Sequence, residues 1–123
     1  MRWRVLLFET ASGRIPVADY IERAPSRDKA RIVHTIDLLE EEGLDLLGTA
    51  YMKGLTREIL ELRIKGERLH RVLLFRFGPS EFVLLHAYTK QSDRTPKKEL
   101  DVADSRMRDW VARRESPRRE RRQ

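Results

Sequence analysis

Between Leu60 and Tyr88 three short runs separated by tight connections read as extended strands, and the first of them alternates strictly. Leu60-Glu61-Leu62-Arg63-Ile64-Lys65 switches between apolar and charged at every residue, the period of a strand with one dry and one wet face. Gly66-Glu67-Arg68 links it to residues 69–77 (LHRVLLFRF), and Gly78-Pro79-Ser80-Glu81 links that run to residues 82–88 (FVLLHAY). Connections this short join strands antiparallel, so the three runs predict a meander.

The flanks supply the rest of the fold. Residues 3–8 (WRVLLF) are rich in β-formers and predict an opening strand, closed by a turn at Gly13. Pro16 suits the first turn of a helix that carries Val17, Tyr20 and Ile21 at helical spacing. Pro25 interrupts it. Ser26 is the expected N-cap of a second helix, with Asp28 in its first turn and Gly43 at its end. Thr95-Pro96 predicts the cap and first residue of a last helix with an apolar stripe of Leu100, Ala103, Met107, Trp110 and Val111. The order predicts an α+β sandwich: helices on one face of a small mixed, mostly antiparallel sheet, the other face at least partly open, the first strand returning beside a parallel partner.

At 123 residues the chain fits one domain, 40% apolar and 37% charged. No apolar run approaches the roughly 18–20 residues of a membrane span, and the first residues reach Glu9 too soon for a secretory leader. The absence of cysteine removes disulfides, thiolate nucleophiles and Cys-ligated zinc, and agrees with a reducing cytoplasm. His34, His70 and His86 show no ligand spacing, so neither a metal nor another cofactor is expected.

Charge is distributed unevenly. Residues 48–98 hold eleven basic against five acidic side chains, and 113–123 hold six arginines against two glutamates, while 1–47 and 99–112 are each net negative by two. The terminal run has no apolar anchors and is expected to be a disordered basic tail after a domain spanning 1–112. The basic meander points to a polyanionic partner.

On the meander and at its exit, Arg63, Arg71, His86, Tyr88 and Lys90 are the candidate catalytic groups, and in and around it Lys53, Lys65, Arg68, Arg76, Arg94, Lys97 and Lys98 are the candidate RNA-binding cations. Guanidinium and ammonium groups stabilise charge that develops on a phosphorane-like transition state. A Tyr, His or Lys can move the protons, and RNA brings its own 2′-hydroxyl nucleophile. Each residue also has an ordinary structural explanation. Arg63 can pair with Glu61 or Glu58, His86 can be a hydrogen-bonded core residue, and Tyr88 can cap the core with its ring.

Several segments in order resemble one family: Met52-Lys53-Gly54-Leu55, Leu60-Glu61-Leu62-Arg63, His70-Arg71-Val72-Leu73-Leu74-Phe75, Leu84-Leu85-His86-Ala87-Tyr88-Thr89-Lys90, then Thr95-Pro96 with Glu99 and Ala103. Together they are similar to the phage-derived Gp49-like, HigB-type branch of the RelE/ParE toxins. The resemblance implies a RelE-like fold and the toxin of a type II toxin–antitoxin pair. Such a toxin is a metal-independent endoribonuclease that cleaves mRNA on the translating ribosome. It is neutralised in a hetero-oligomer by a helix-turn-helix, HigA-like antitoxin. By that resemblance Arg71 matches the catalytic arginine, Arg63 a basic residue lining the site and Lys90 the basic residue after the last strand. Tyr88 stands where this branch usually has phenylalanine, and Gln91 replaces the second lysine of a common pair, so the acid and base stay open among Tyr, His and Lys. ParE-like relatives share the fold but inhibit gyrase, which keeps a non-catalytic toxin as the alternative.

Overall fold

A computed structural model describes residues 2–121, with side chains described for residues 2–114. The elements run β1 (Arg4–Leu7), α1 (Pro16–Arg23), α2 (Ser26–Glu42), a 3₁₀ turn (Gly43–Leu46), β2 (Met52–Gly54), β3 (Ile59–Lys65), β4 (Leu69–Phe77), β5 (Glu81–Thr89) and α3 (Lys97–Arg121). The five strands form one sheet in the order β1-β5-β4-β3-β2. β1 runs parallel to β5 and every other pair is antiparallel. This is the expected α+β fold with the parallel return of the first strand, and the short strand β2 adds to the meander. No helix among the described residues is long and apolar enough to cross a membrane.

The helices do not share one face. Val17, Ile32 and Leu39 of α1 and α2 pack on Leu62, Ile64, Val72, Leu74, Phe82 and Leu84. On the other face Ala103, Met107 and Trp110 of α3 pack on Ile59, Leu73, Phe75, Val83 and Leu85. The expectation of helices on one side is therefore corrected. Both faces of β4 are apolar over Val72–Phe75, and each needs a cover.

Two helix starts also differ from expectation. Pro25, not Ser26, holds the cap position of α2, with no side-chain cap bond. Thr95 gives its hydroxyl to Glu61 at 2.9 Å instead of capping α3, which begins at Lys97. At the other end α3 continues past residue 112, so the expected break before 113 is absent over the described residues. Arg113 pairs with Asp109 at 3.1 Å, and Arg114 lies over the Trp110 ring. These contacts one turn apart carry the helix onward. Residues 122–123, and the side chains from 115 onward, lie outside the described residues.

Gly43 ends α2 and lies against Trp3, the residue before β1. Its φ is +55°, and a Cβ there would sit 2.0 Å from the Trp3 indole nitrogen, whose ring stacks on Phe82 at 4.6 Å. Gly43→Ala is expected to destabilise the fold by about 2–4 kcal/mol, overpacking and left-handed backbone together. Urea unfolding checks this, and a loss below about 1 kcal/mol would show that Trp3 moves aside freely.

A buried polar chain ties four elements together beneath one end of the sheet. Asp28 of α2 accepts the backbone N–H groups of Glu67 and Arg68 at 2.8 and 3.1 Å, which fixes the β3–β4 turn. His70 Nε2 meets the same carboxylate at 2.7 Å, and His70 Nδ1 meets the Tyr20 hydroxyl at 2.7 Å. Tyr20 is in turn 2.8 Å from the Thr89 hydroxyl. One assignment satisfies all of them: Thr89 donates to Tyr20, Tyr20 to Nδ1, and Nε2–H to Asp28.

The hydrogen bond from His70, then the Glu67 N–H, hold the Asp28 carboxyl down to about 2 from its ordinary 3.8. A carboxylate whose pKa falls on folding stabilises the fold above its unfolded pKa, and that contribution is lost as pH falls through the folded value. Urea midpoints should therefore drop between about pH 4 and pH 2, with a shallower drop in Asp28→Asn. Equal slopes in the two proteins would remove Asp28 as the cause.

Candidate functional site

Strand register brings the cations together. Arg63 on β3 lies directly opposite Arg71 on β4, and Arg71 lies opposite Tyr88 on β5. Cross-strand partners share a face, so the three side chains form one row on the α3 side of the sheet. The row before it runs Lys53, Glu61, Leu73 and His86 across β2 to β5. A bulge between Leu73 and Leu74 shifts the β5 register so that His86 meets Leu73.

Two arginines facing each other repel, and Glu61 offsets the repulsion. Its Oε1 is 3.4 Å from Arg63 Nε and 3.5 Å from Arg71 Nε, while Oε2 accepts the Thr95 hydroxyl. Glu61 is buried, Arg71 keeps 11% of its side-chain exposure and Arg63 keeps 32%. Arg71 Nη1 also donates to the His70 carbonyl at 3.2 Å. Two fixed guanidinium groups against one carboxylate leave this row net positive at a partly open surface. That is a suitable place for a phosphate.

Tyr88 is buried beside them, and burial pushes its hydroxyl above its ordinary pKa of 10, with Thr95 partly opposing the rise. It holds its proton at neutral pH and can act as a donor. Its ring stacks on His86 at 5.9 Å. His86 Nδ1 accepts from Arg106 Nη1 at 3.3 Å, and an arginine only donates, so Nε2 carries the proton toward Glu99 at 2.8 Å. Both ring nitrogens are engaged. In this arrangement His86 therefore presents its ring face to Tyr88 and no unpaired nitrogen.

Lys90 adds one bond to the ladder beyond Thr89, its N–H donating to the Leu69 carbonyl at 2.7 Å. Its ammonium group lies 3.9 Å from Asp93. Lys65 ends β3 and, with Arg63, Arg27, Arg31 and Tyr51, lines a groove of about 630 Å³ running toward α2. Arg94 is exposed in the loop before α3, and Lys97 and Lys98 are exposed in its first turn, with Lys97 paired to Asp101 at 2.8 Å.

Two cations stand apart from the row. Arg76 shares the α1/α2 face with Val72 and Leu74, 5.3 Å over the Trp3 ring, and bonds the Gly78 and Pro79 carbonyls. Five positions along a strand is an odd separation, so Arg76 and Arg71 lie on opposite faces of β4. Arg68 sits in the β3–β4 turn and borders a crevice with Tyr20 and Arg23.

Sequence reasoning missed Thr95 and Arg106 and took Glu61 only as a surface partner. Parity gave a signal for Glu61, two residues before Arg63 and so on the same face. Nothing local pointed to Arg106, which comes twenty residues after His86.

A family model described as Phage derived protein Gp49-like (DUF891) matches residues 19–108, from α1 well into α3. No curated protein matches the chain.

Proposed function

Because this chain belongs to the phage-derived Gp49-like family, which is associated with RelE- and HigB-type toxins of toxin–antitoxin pairs, we propose that it is an endoribonuclease toxin that cleaves mRNA on the translating ribosome without a metal. The observation that carries this reading is the Arg63–Arg71–Tyr88 row, braced by Glu61. The 2′-oxygen of the substrate attacks the adjacent phosphorus. Arg71 and Arg63 stabilise the added negative charge, and the Tyr88 hydroxyl protonates the departing 5′-oxygen. The products are a 2′,3′-cyclic phosphate and a 5′-hydroxyl.

Glu61 and His86 are committed to partners, so the 2′-hydroxyl proton goes to water or to a group that the ribosome brings. That division of labour favours translated message over free RNA. Lys53, Lys65, Lys90, Arg94, Lys97 and Lys98 supply charge around the row, and a helix-turn-helix antitoxin of the HigA kind is the expected cytoplasmic partner.

Primer extension on a message undergoing translation tests the reading. Discrete breaks within the coding region are expected with the intact chain. Intact message together with inhibited gyrase supercoiling would replace this reading with the ParE-like one.

A further inference from the structure

Beyond the row, at the open edge of β5, three arginines converge on a cleft of about 290 Å³. β1 covers β5 only as far as Leu84. The later half of β5 therefore has α1 as its neighbour instead of a strand, and the cleft opens there. Arg14 and Arg23 reach it from the two ends of α1 and Arg106 from α3, with His86 and Tyr20 in the wall. Asp19 is the single carboxylate in the lining. Among the described residues no ion pair joins it, or any other carboxylate, to one of these arginines.

Arg106 is held ready for a ligand. Nη1 donates to the Leu85 carbonyl at 2.8 Å and to His86 Nδ1, and the guanidinium carbon lies 5.8 Å from the Phe8 ring centroid. Its Nε and Nη2 have no partner among the described residues, so a preformed pair of donors remains. Burial, then the neighbouring Arg14, weakens its hold on its proton, as expected where like charges crowd without a counter-ion. A bound anion would reverse that penalty.

We propose that Arg14, Arg23 and Arg106 form a phosphodiester-binding subsite that holds a neighbouring phosphate of the RNA strand as it leaves the Arg63–Arg71–Tyr88 row. The two places are linked through His86, which stacks on Tyr88 on one side and accepts from Arg106 on the other. RNA as the source of the phosphate rests on the function proposed above; the anion site itself rests on the cleft. Arginine forks suit phosphate oxygens, and three of them tolerate any base, so the subsite sets the path of the strand and not its sequence.

The test uses the full chain and two probes, inorganic phosphate and a 2′-O-methyl RNA oligonucleotide that cannot be cleaved. Phosphate should shift the NMR signals of the Arg106 side chain and His86. In the Arg14→Ala/Arg23→Ala double variant, which changes two exposed side chains outside the row, those shifts should vanish. Oligonucleotide binding should weaken by about tenfold or more, and its salt slope should fall by about 0.7 for each phosphate no longer neutralised. Unchanged oligonucleotide affinity in the double variant, or phosphate shifts confined to other residues, would overturn the subsite and leave the proposed nuclease standing. Phosphate binding in the cleft without any oligonucleotide binding would overturn RNA as its ligand, while the nuclease reading is decided separately by primer extension on translated message.

Discussion

Arg71→Ala is expected to slow RNA cleavage by about 10²–10³ while the protein stays folded. The rate loss corresponds to about 2.7–4 kcal/mol of transition-state stabilisation, the size found when a fixed donor to developing charge is removed. The side chain is suited to that role because it is held before substrate arrives, by Glu61 at 3.5 Å and by the His70 carbonyl at 3.2 Å. Removing it leaves Glu61 still bonded to Arg63 and Thr95, so no buried charge is stranded and urea midpoints should change little. Arg71→Lys should recover only part of the rate, since an ammonium group keeps the charge and loses the planar fork. Single-turnover cleavage of ribosome-bound message measures both. Full activity in Arg71→Ala would move the chemistry elsewhere on the molecule.

The second large effect is expected at Glu61, and there it is mainly on stability. Glu61→Ala leaves Arg71, nine-tenths buried, facing Arg63 with nothing between them. Breaking a buried pair by removing one partner costs about 3 kcal/mol or more. Glu61→Gln keeps an acceptor for Thr95 and loses only the charge, so it should cost less. The decisive comparison is the double variant. Adding Arg71→Ala to Glu61→Ala removes the stranded cation and should restore part of the lost stability. A double variant less stable than Glu61→Ala alone would show that the carboxylate serves the fold through some other interaction.

The meander was legible because LELRIK alternates by chemistry as a half-exposed strand does, and the two β-former-rich runs after it are joined by connections too short for anything but antiparallel strands. The Arg63–Arg71–Tyr88 row was legible in part. Alternation gives the face of each residue, but which residues stand opposite depends on turn lengths and on the bulge at Leu73/Leu74. The same parity rule would have separated Arg76 from Arg71. The second position of α3, on the far face, was not legible. An apolar stripe on a helix says that it needs a cover, and gives no information about which side of a sheet supplies it. Asp28 was harder still. An aspartate in the first turn of a helix is explained locally by the helix dipole, and only the fold brings it to His70, forty-two residues away. Thr95 before a proline had an equally sufficient local explanation as a cap, and the hydroxyl went to Glu61 instead.

His70 and Arg71 are consecutive, as are Tyr88 and Thr89. Alternation therefore sends one member of each couple down into the Asp28–Tyr20 chain and the other up into the cationic row. The upper surface can accept new chemistry while the layer below keeps its backbone still, in the manner of a workbench bolted from beneath. A redesign that retargets this surface has freedom above the sheet and almost none below it, and damage to Asp28 or His70 would register as lost activity although neither side chain belongs to the row.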